Sequence, residues 1–306
     1  MDILTAAILT IITAATPLLF AALGELVAEK SGVLNLGVEG MMIMGAIIGF
    51  VVVHHSGSAS IAVIASMIAG AFMASIFGVL VLKFHASQVP TGLALTIFGL
   101  GLSALIGQSM IGVAYTGIPK LAIPGLASIP VIGNVLFNQD ALVYLSIIMV
   151  FVVYWFMNKS RAGLILRAVG DSHDAAHAMG YSVVKIRFLA LLFGGAMAGV
   201  GGAYLSLAYS PLWVEGMTAG RGWIALALVV FAGWKVGRVL LGAYLFGGIT
   251  ILQLHAQALG IGIPSQVMSM LPYLATILVL VFISRDLTKI KLNSPASLGK
   301  PFHESR

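Results

Sequence analysis

The chain reads EKSGVLNLGVEGMM at residues 29–42, a stretch that places charged side chains and three glycines at the edge of a long apolar run. A charged side chain inside a bilayer is costly, so such residues usually face a cavity or a partner. Asn35 and Glu39 are therefore expected beside a pathway, unless Glu39 lies at the cytoplasmic interface or pairs with a basic residue of a neighbouring helix. The stretch predicts a break between two membrane helices.

The composition is that of a membrane protein. Of the 306 residues, 60% are hydrophobic and 8% are charged, against roughly 45–50% and about 25% in a soluble domain. The chain has no cysteine, which excludes disulfides and cysteine-ligated metal. The 16 Lys and Arg outnumber the 10 Asp and Glu, but they cluster between apolar runs, which indicates membrane topology and not nucleic-acid binding.

The apolar runs predict an all-α, polytopic membrane protein with eight or nine transmembrane helices. They lie near 3–24, 36–53, 60–82, 90–112, 140–158, 185–207, 221–234, 236–254 and 267–285. The run 221–234 would cover only about 21 Å, so it is expected to be a broken, re-entrant or short tilted helix. Residues 1–291 then form the transmembrane domain, and 292–306 form a polar tail that is expected to be frayed.

Basic residues predict the orientation, because positively charged loops stay in the cytoplasm. They concentrate in the loop 159–187 and in the tail, which are both assigned to the cytoplasmic side. This assignment puts the N-terminus outside and the C-terminus inside. The loop 113–139, where Lys120 is the only base, is then extracytoplasmic, and its three prolines predict turns more than regular structure.

The loop 159–187 also contains helix-capping residues. Asp171 is a good N-cap and Gly180 a good C-cap, which predicts a cytoplasmic helix of about ten residues between them. His173 and His177 imitate the HExxH zinc motif, but Asp174 replaces the glutamate and no third ligand is evident, so no metal site is expected. The GxxxxGK[ST] phosphate-binding loop is absent, so an ATP site of that type would have to lie on a partner.

Three blocks of sequence follow one another along the chain. They are GVLNLGVEGMM at 32–42, LRAVGD at 166–171 followed by Ala175, Ala176 and Gly180, and GRGWIALA at 220–227. Together these blocks resemble the permease subunits of the nucleoside and simple-sugar ABC importers, within the branched-chain amino acid/ribose-type permease superfamily. The resemblance extends over most of the chain.

The resemblance implies a multi-pass permease of the bacterial inner membrane that is not an enzyme and carries nucleosides or small sugars by alternating access. A partner ATPase would bind ATP and Mg, a second permease would complete a heterodimer, and an extracytoplasmic binding protein would deliver the substrate. The residues that would engage the ATPase are Arg167, Gly170, Asp171, Ala175, Ala176 and Gly180. Candidate residues of the substrate pathway are Asn35, Glu39, Gln108, Trp223 and Gln253.

Two other function classes stay open. An ion-coupled secondary transporter or channel would need an acidic residue deep in a span, for which Glu39 is the candidate. A membrane enzyme is disfavoured by the absence of cysteine and of a converging set of histidines and carboxylates. In any of these classes, the sixth span is expected to pack closely through Gly194, Gly195, Ala198, Gly199 and Gly202.

Overall fold

The computed structural model describes residues 3–122, 124–125, 132–258, 264–284 and 293–303, most of which are helical. Their helices are α1 (Ile3–Lys30), α2 (Val38–Ser56), α3 (Ala59–Leu82), α4 (Gln88–Gly107), α5 (Ile132–Leu136), α6 (Ala141–Lys159), α7 (Arg161–Asp171), α8 (His173–Ala178), α9 (Val183–Tyr204), α10 (Arg221–Phe231), α11 (Val236–Ala258) and α12 (Ser265–Ser284). A 3-10 turn (Gln108–Met110) follows α4, and a π-helical turn (Leu205–Tyr209) follows α9.

Seven stretches of the described residues are long and apolar enough to cross a membrane. They are Thr5–Lys30, Val38–Ser56, Ala59–Leu82, Gln88–Met110, Ala141–Lys159, Val183–Tyr209 and Val236–Gln257. The prediction of a mostly helical, multi-pass membrane protein is confirmed. Because α10 has only 11 residues and α12 is not among the seven stretches, the count of eight or nine crossings stays a prediction, as does the orientation.

The core of the bundle forms around α9, which packs against α1, α2 and α3. Glycines set the spacing of these helices. A Cβ added at Gly24 of α1 would lie 2.8 Å from the carbonyl oxygen of Gly194. Gly199 likewise packs directly against Gly45 of α2 and Gly70 of α3. All five small residues expected to mediate packing are buried, namely Gly194, Gly195, Ala198, Gly199 and Gly202, and their close neighbours lie in this chain.

The predicted extracytoplasmic loop contains more regular structure than its prolines suggested. Strands β1 (Lys120–Ala122) and β2 (Asn138–Asp140) pair antiparallel, and the short helix α5 precedes β2. The Asp140 side chain then accepts hydrogen bonds from the backbone N–H groups of Leu142 and Val143 and so caps α6. Position 123 and positions 126–131 of this loop lie outside the described residues.

The predicted cytoplasmic helix from Asp171 to Gly180 is wrong at its start. Asp171 is the last residue of α7, and the next helix, α8, has only six residues. The chain breaks at Ser172, where φ is −148° and ψ is 98°, and the Ser172 hydroxyl oxygen caps α8 by accepting a hydrogen bond from Ala175 N. Gly180 follows α8 with a φ of +87°, the left-handed conformation expected at the end of a helix.

The prediction of a frayed tail is wrong for residues 293–303, which we call the C-terminal strap. Its backbone is bonded to the ends of several helices and to the loops between them. Lys30 Nζ donates to Asn293 O at 2.6 Å, Ser297 N to Gly170 O at 2.9 Å, and Gly299 N to Gly32 O at 3.2 Å. Composition does not reveal these three bonds, because each uses a main-chain group of the strap.

Candidate functional site

The carboxylate of Glu39 joins α2 to α10. It is 3% exposed and accepts hydrogen bonds from Thr218 Oγ1 at 2.6 Å, Gly220 N at 2.8 Å and Gly222 N at 2.6 Å. Two alternatives to a pathway role were open for Glu39, a basic partner and a position at the cytoplasmic interface, and the second stays a prediction. Within the part of the chain that the structure describes, Glu39 makes no ion pair.

The N-terminus of α10 is built to receive this carboxylate. The first N–H groups of a helix have no partner inside the helix and carry a partial positive charge. Gly220 is the N-cap residue, with a φ of +79°. A Cβ at Gly222 would lie 2.6 Å from the backbone nitrogen of Glu39, so glycine is required there for α2 and α10 to approach.

Arg221 stabilises the loop that leads into α10 and does not bind Glu39. Its guanidinium donates to Met217 O at 3.1 Å and to Thr218 O at 3.3 Å. The guanidinium carbon also lies 5.6 Å from the centre of the Tyr209 ring, a distance at which a cation is attracted to the ring face. The loop between the π-helical turn and α10 is therefore held by its own carbonyl groups.

The segment between α1 and α2 contacts the junction where α2 meets the start of α10. Asn35 is fully buried, and its Oδ1 accepts from Gly37 N at 3.0 Å, which shapes the turn into α2. Trp223, on the first turn of α10, donates from Nε1 to Leu36 O at 3.2 Å, yet it remains 44% exposed. Trp223 is thus the candidate pathway residue of this junction that presents an aromatic surface.

The five predicted pathway residues fall into two groups. Asn35, Glu39 and Trp223 meet where α2 and α10 begin. Gln108 lies exposed in the 3-10 turn after α4, and Gln253 lies partly buried in α11, so these two are on other elements.

Two further buried acids are not among the predicted pathway residues. Glu25 and Glu29 are one turn apart on α1 and are 1% and 0% exposed. Glu25 accepts from Asn35 N at 3.2 Å, and Glu29 accepts from Trp234 Nε1 at 2.5 Å. The predicted first span ended at residue 24, whereas α1 continues to Lys30; two glutamates four residues apart were the available signal. Glu39 and Glu29 therefore hold α10 on both sides, one at its start and one just beyond its end.

The residues predicted to engage an ATPase differ in exposure. Asp171, Ala175 and Gly180 are exposed, whereas Arg167 is half-buried. Gly170 is buried, with no room for a Cβ beside the carbonyl of Lys30. Ala176 is 1% exposed because it packs in a small cluster with Phe302 of the strap. Met179, which the sequence analysis did not select, is 64% exposed beside them.

Arg187 connects this surface to the membrane helices. It is 0% exposed; its Nε donates to Ser31 O at 3.1 Å and its Nη1 to Lys300 O at 3.1 Å. Its Nη2 lies 3.3 Å from His173 Nδ1. Burial, and then the positive charge of Arg187, lower the pKa of His173 below its usual value. A neutral His173 is the form that accepts a hydrogen bond from the guanidinium.

The described residues contain no group of three or more His, Cys, Asp or Glu side chains that could hold a metal ion. What they contain is a bundle of membrane-crossing helices, a short helix anchored by buried carboxylates, and a surface helix attached to the bundle. These features define a multi-pass membrane protein. Residues 7–281 match the family described as branched-chain amino acid transport system / permease component, and the chain belongs to this family.

Individual relatives extend the likeness over nearly the whole chain. The chain is 40% identical to TsgC13 of Haloferax volcanii, which is named provisionally as a glucose ABC transporter permease protein, over 95% of each chain. It is 34% identical to the guanosine ABC transporter permease protein NupQ of Bacillus subtilis, over 96% of this chain and 97% of NupQ. Identity to the nucleoside ABC transporter permease protein NupC of Lactococcus lactis is 30%, over 87% and 88%. No solved structure matches the chain.

Proposed function

We propose that this chain is the membrane-spanning permease subunit of an ABC importer for nucleosides or related small sugars. The observation that carries the proposal is the likeness to TsgC13 and NupQ, both named as ABC transporter permeases, over at least 95% of this chain. Because NupQ and NupC are named for guanosine and for nucleosides, nucleosides are the substrate class proposed first.

The proposed pathway passes the junction of α2 and α10. The exposed face of Trp223 supplies a surface on which a nucleobase would stack. Glu39 and Asn35 are buried and already hydrogen-bonded, so their proposed role is to position α10. Gln108 and Gln253 remain the proposed hydrogen-bonding partners of substrate hydroxyl groups on the other elements.

The proposed energy source is a separate ATPase subunit that carries ATP and Mg and docks on α8 and its flanks. Asp171, Ala175 and Met179 are exposed there. Movement of the ATPase would displace α8 and change which side of the membrane the pathway opens to. The ATPase would shift this equilibrium only as far as its affinity for the two states differs.

The names of the relatives support a second permease as a partner. Three organisms each contribute two similar permeases, namely TsgB13 and TsgC13, NupP and NupQ, and NupB and NupC. We propose that this chain likewise forms a heterodimer in the cytoplasmic membrane of a bacterium. An extracytoplasmic binding protein would deliver the substrate to that heterodimer.

Uptake by proteoliposomes tests the proposal. The reconstituted complex would be supplied with radiolabelled guanosine, uridine, ribose or glucose, with ATP on the side of α8 and binding protein on the other. The expected result is saturable nucleoside uptake that requires ATP hydrolysis and persists when ionophores collapse ion gradients. Uptake that needs no ATP and stops with an ionophore would overturn it.

A second candidate function rests on Glu25 and Glu29. An ion-coupled transporter needs acidic residues inside a span, and both side chains are buried in α1. Glu25 Oε2 and Glu29 Oε1 have no hydrogen-bond partner among the described residues. Uptake driven by a proton or sodium gradient and lost in Glu25→Gln and Glu29→Gln would favour this alternative.

A further inference from the structure

The C-terminal strap connects parts of the protein that are far apart in sequence. Beyond its bonds to Lys30, Gly32 and Gly170, it receives Arg187 of α9 at Lys300 O. It also reaches the turn between α3 and α4, where His85 Nε2 lies 3.0 Å from Phe302 O. The strap therefore contacts the ends of α1, α7 and α9 and the turn before α4 together.

Phe302 is the side chain through which the strap holds α8. It is 6% exposed and packs in a small cluster with Val169, Ala176 and Val183. Its ring centre lies 5.4 Å from the ring centres of both His173 and His177. These distances and the inclined rings fit edge-to-face packing.

Besides Phe302, helix α8 is held mainly by the contact of His173 with Arg187. Of its six residues only Ala176 is buried, and a helix shorter than about 12 residues is marginal in water without tertiary contacts. Ser172 breaks the helix on one side, and Gly180 turns the chain on the other. Without the Phe302 ring, Ala176 would lose a large part of the apolar surface that buries it.

We propose that Phe302 is a positioning residue for energy coupling, which makes α8 move as one body with the ends of α1 and α9 and the α3–α4 turn. This inference rests on the proposed function, in which an ATPase docks on α8. A displaced surface helix moves the spans only if its attachment is stiff. In this chain, the strap supplies a main part of that attachment through the Phe302 side chain and the carbonyl oxygens of Lys300 and Phe302, beside the direct contact of His173 with Arg187.

The test compares Phe302→Ala with Phe302→Leu in the assembled complex, measuring ATP hydrolysis and nucleoside uptake on the same sample. We expect Phe302→Ala to retain the bound ATPase and its hydrolysis, while uptake per ATP falls about five- to thirtyfold, as a loss of one to two kcal/mol of favourable packing predicts. Phe302→Leu, which keeps an apolar side chain, should recover most of the uptake per ATP. Lys300→Ala is the control, because it keeps the Lys300 carbonyl that accepts from Arg187 and leaves Phe302 in place.

Unchanged uptake per ATP in Phe302→Ala would overturn the inference. If Phe302→Ala fails to assemble, His85→Ala replaces it. His85 is exposed, and its substitution removes a separate contact of the strap. Uptake per ATP equal to that of the unmodified complex would then overturn the inference. Met179→Glu separates the two proposals. If it releases the ATPase while Phe302→Ala only uncouples it, both stand, whereas an unmodified chain that never binds an ATPase would overturn the proposed function itself.

Discussion

The backbone N–H of Gly222 in α10 donates a 2.6 Å hydrogen bond to the carboxylate of Glu39 in α2, across 183 residues of sequence. Two further donors, Thr218 Oγ1 and Gly220 N, complete the contact. A short helix is thereby fixed by one side chain at the end where its N–H groups are free. Substitutions at this junction should change stability and transport in ways that matched substitutions elsewhere in the chain do not.

Glu39→Gln removes the charge and one of the two accepting oxygens while keeping the size of the side chain. The N–H of Gly222 would then face an amide NH2 group and lose its acceptor. We expect a loss of about 1–3 kcal/mol in the free energy of unfolding, measured by thermal denaturation in lipid nanodiscs. Glu215→Gln is the control, because Glu215 is exposed in the loop before α10. Equal unfolding temperatures for the two variants would refute the role given to Glu39.

Gly222→Ala tests the close approach of α2 and α10. The added Cβ would lie 2.6 Å from the backbone nitrogen of Glu39, so the helices must separate and the protein should lose about 1–3 kcal/mol of stability. Gly237→Ala, in the first turn of α11, adds a Cβ with nothing within 4 Å and should stabilise by about 0.4–1 kcal/mol. The melting temperature should fall in Gly222→Ala and rise in Gly237→Ala; shifts of the same sign in both variants would contradict this expectation.

Trp223 is expected to contact the substrate in transit. Trp223→Ala should lower the maximal uptake rate about tenfold, since base stacking on an aromatic ring contributes about 1–3 kcal/mol. Trp223→Phe keeps a ring and should lose less. The half-saturating concentration should change little, because in the proposed importer a binding protein would select the substrate first. Trp155→Ala, at an exposed tryptophan of α6, serves as the control, and an equal loss there would show that Trp223 has no special role.

His173 makes the attachment of α8 sensitive to pH. Its pKa is lowered by burial and by Arg187, so in the folded protein it is protonated only at a pH below the value of about 6.5 for a free imidazole. Folding therefore favours the neutral ring. The stability that this preference contributes is fully present above about pH 6.5, and it is lost as the pH falls through the pKa of His173 in the folded protein.

Melting temperatures of the unmodified protein and of His173→Gln, measured between pH 5 and pH 8, check this sign. The unmodified protein should lose more stability toward acid than the variant. His173 Nε2 also lies 3.5 Å from Asp174 Oδ1. A larger acid loss in His173→Gln would mean that the pairing of protonated His173 with Asp174 outweighs its repulsion by Arg187, and the assignment would be wrong.

Hydropathy was enough to locate the seven described stretches that are long and apolar enough to cross a membrane, because each is a run of apolar residues whatever it packs against. The residues around Glu39 stood out for a similar local reason, a charge at the edge of an apolar run. The partners of Glu39 could not be predicted, since they are backbone N–H groups on a helix 183 residues away. Hydropathy did not place Glu25 and Glu29 inside a helix, because the apolar run ends before the helix does.

The ends of the helices around the loop 159–187 show a second limit. Asp171 and Ser172 are adjacent and both are good N-caps, and only the backbone conformation selects Ser172. The strap was misjudged for a different reason. Its polar composition predicts solvent exposure, yet Phe302 packs against Val169, Ala176 and Val183, and Lys30 and Arg187 donate to carbonyl oxygens of the strap.

The most direct measurement of the account is cross-linking from a single cysteine, since the natural chain has none. Ala175→Cys on the exposed face of α8 and His54→Cys at the end of α2 that is predicted to lie outside would each be treated with a thiol-to-amine cross-linker in the intact complex. The account predicts an adduct with the ATPase from Ala175→Cys and none from His54→Cys. An adduct from His54→Cys, or none from Ala175→Cys in a complex that still hydrolyses ATP, would contradict it.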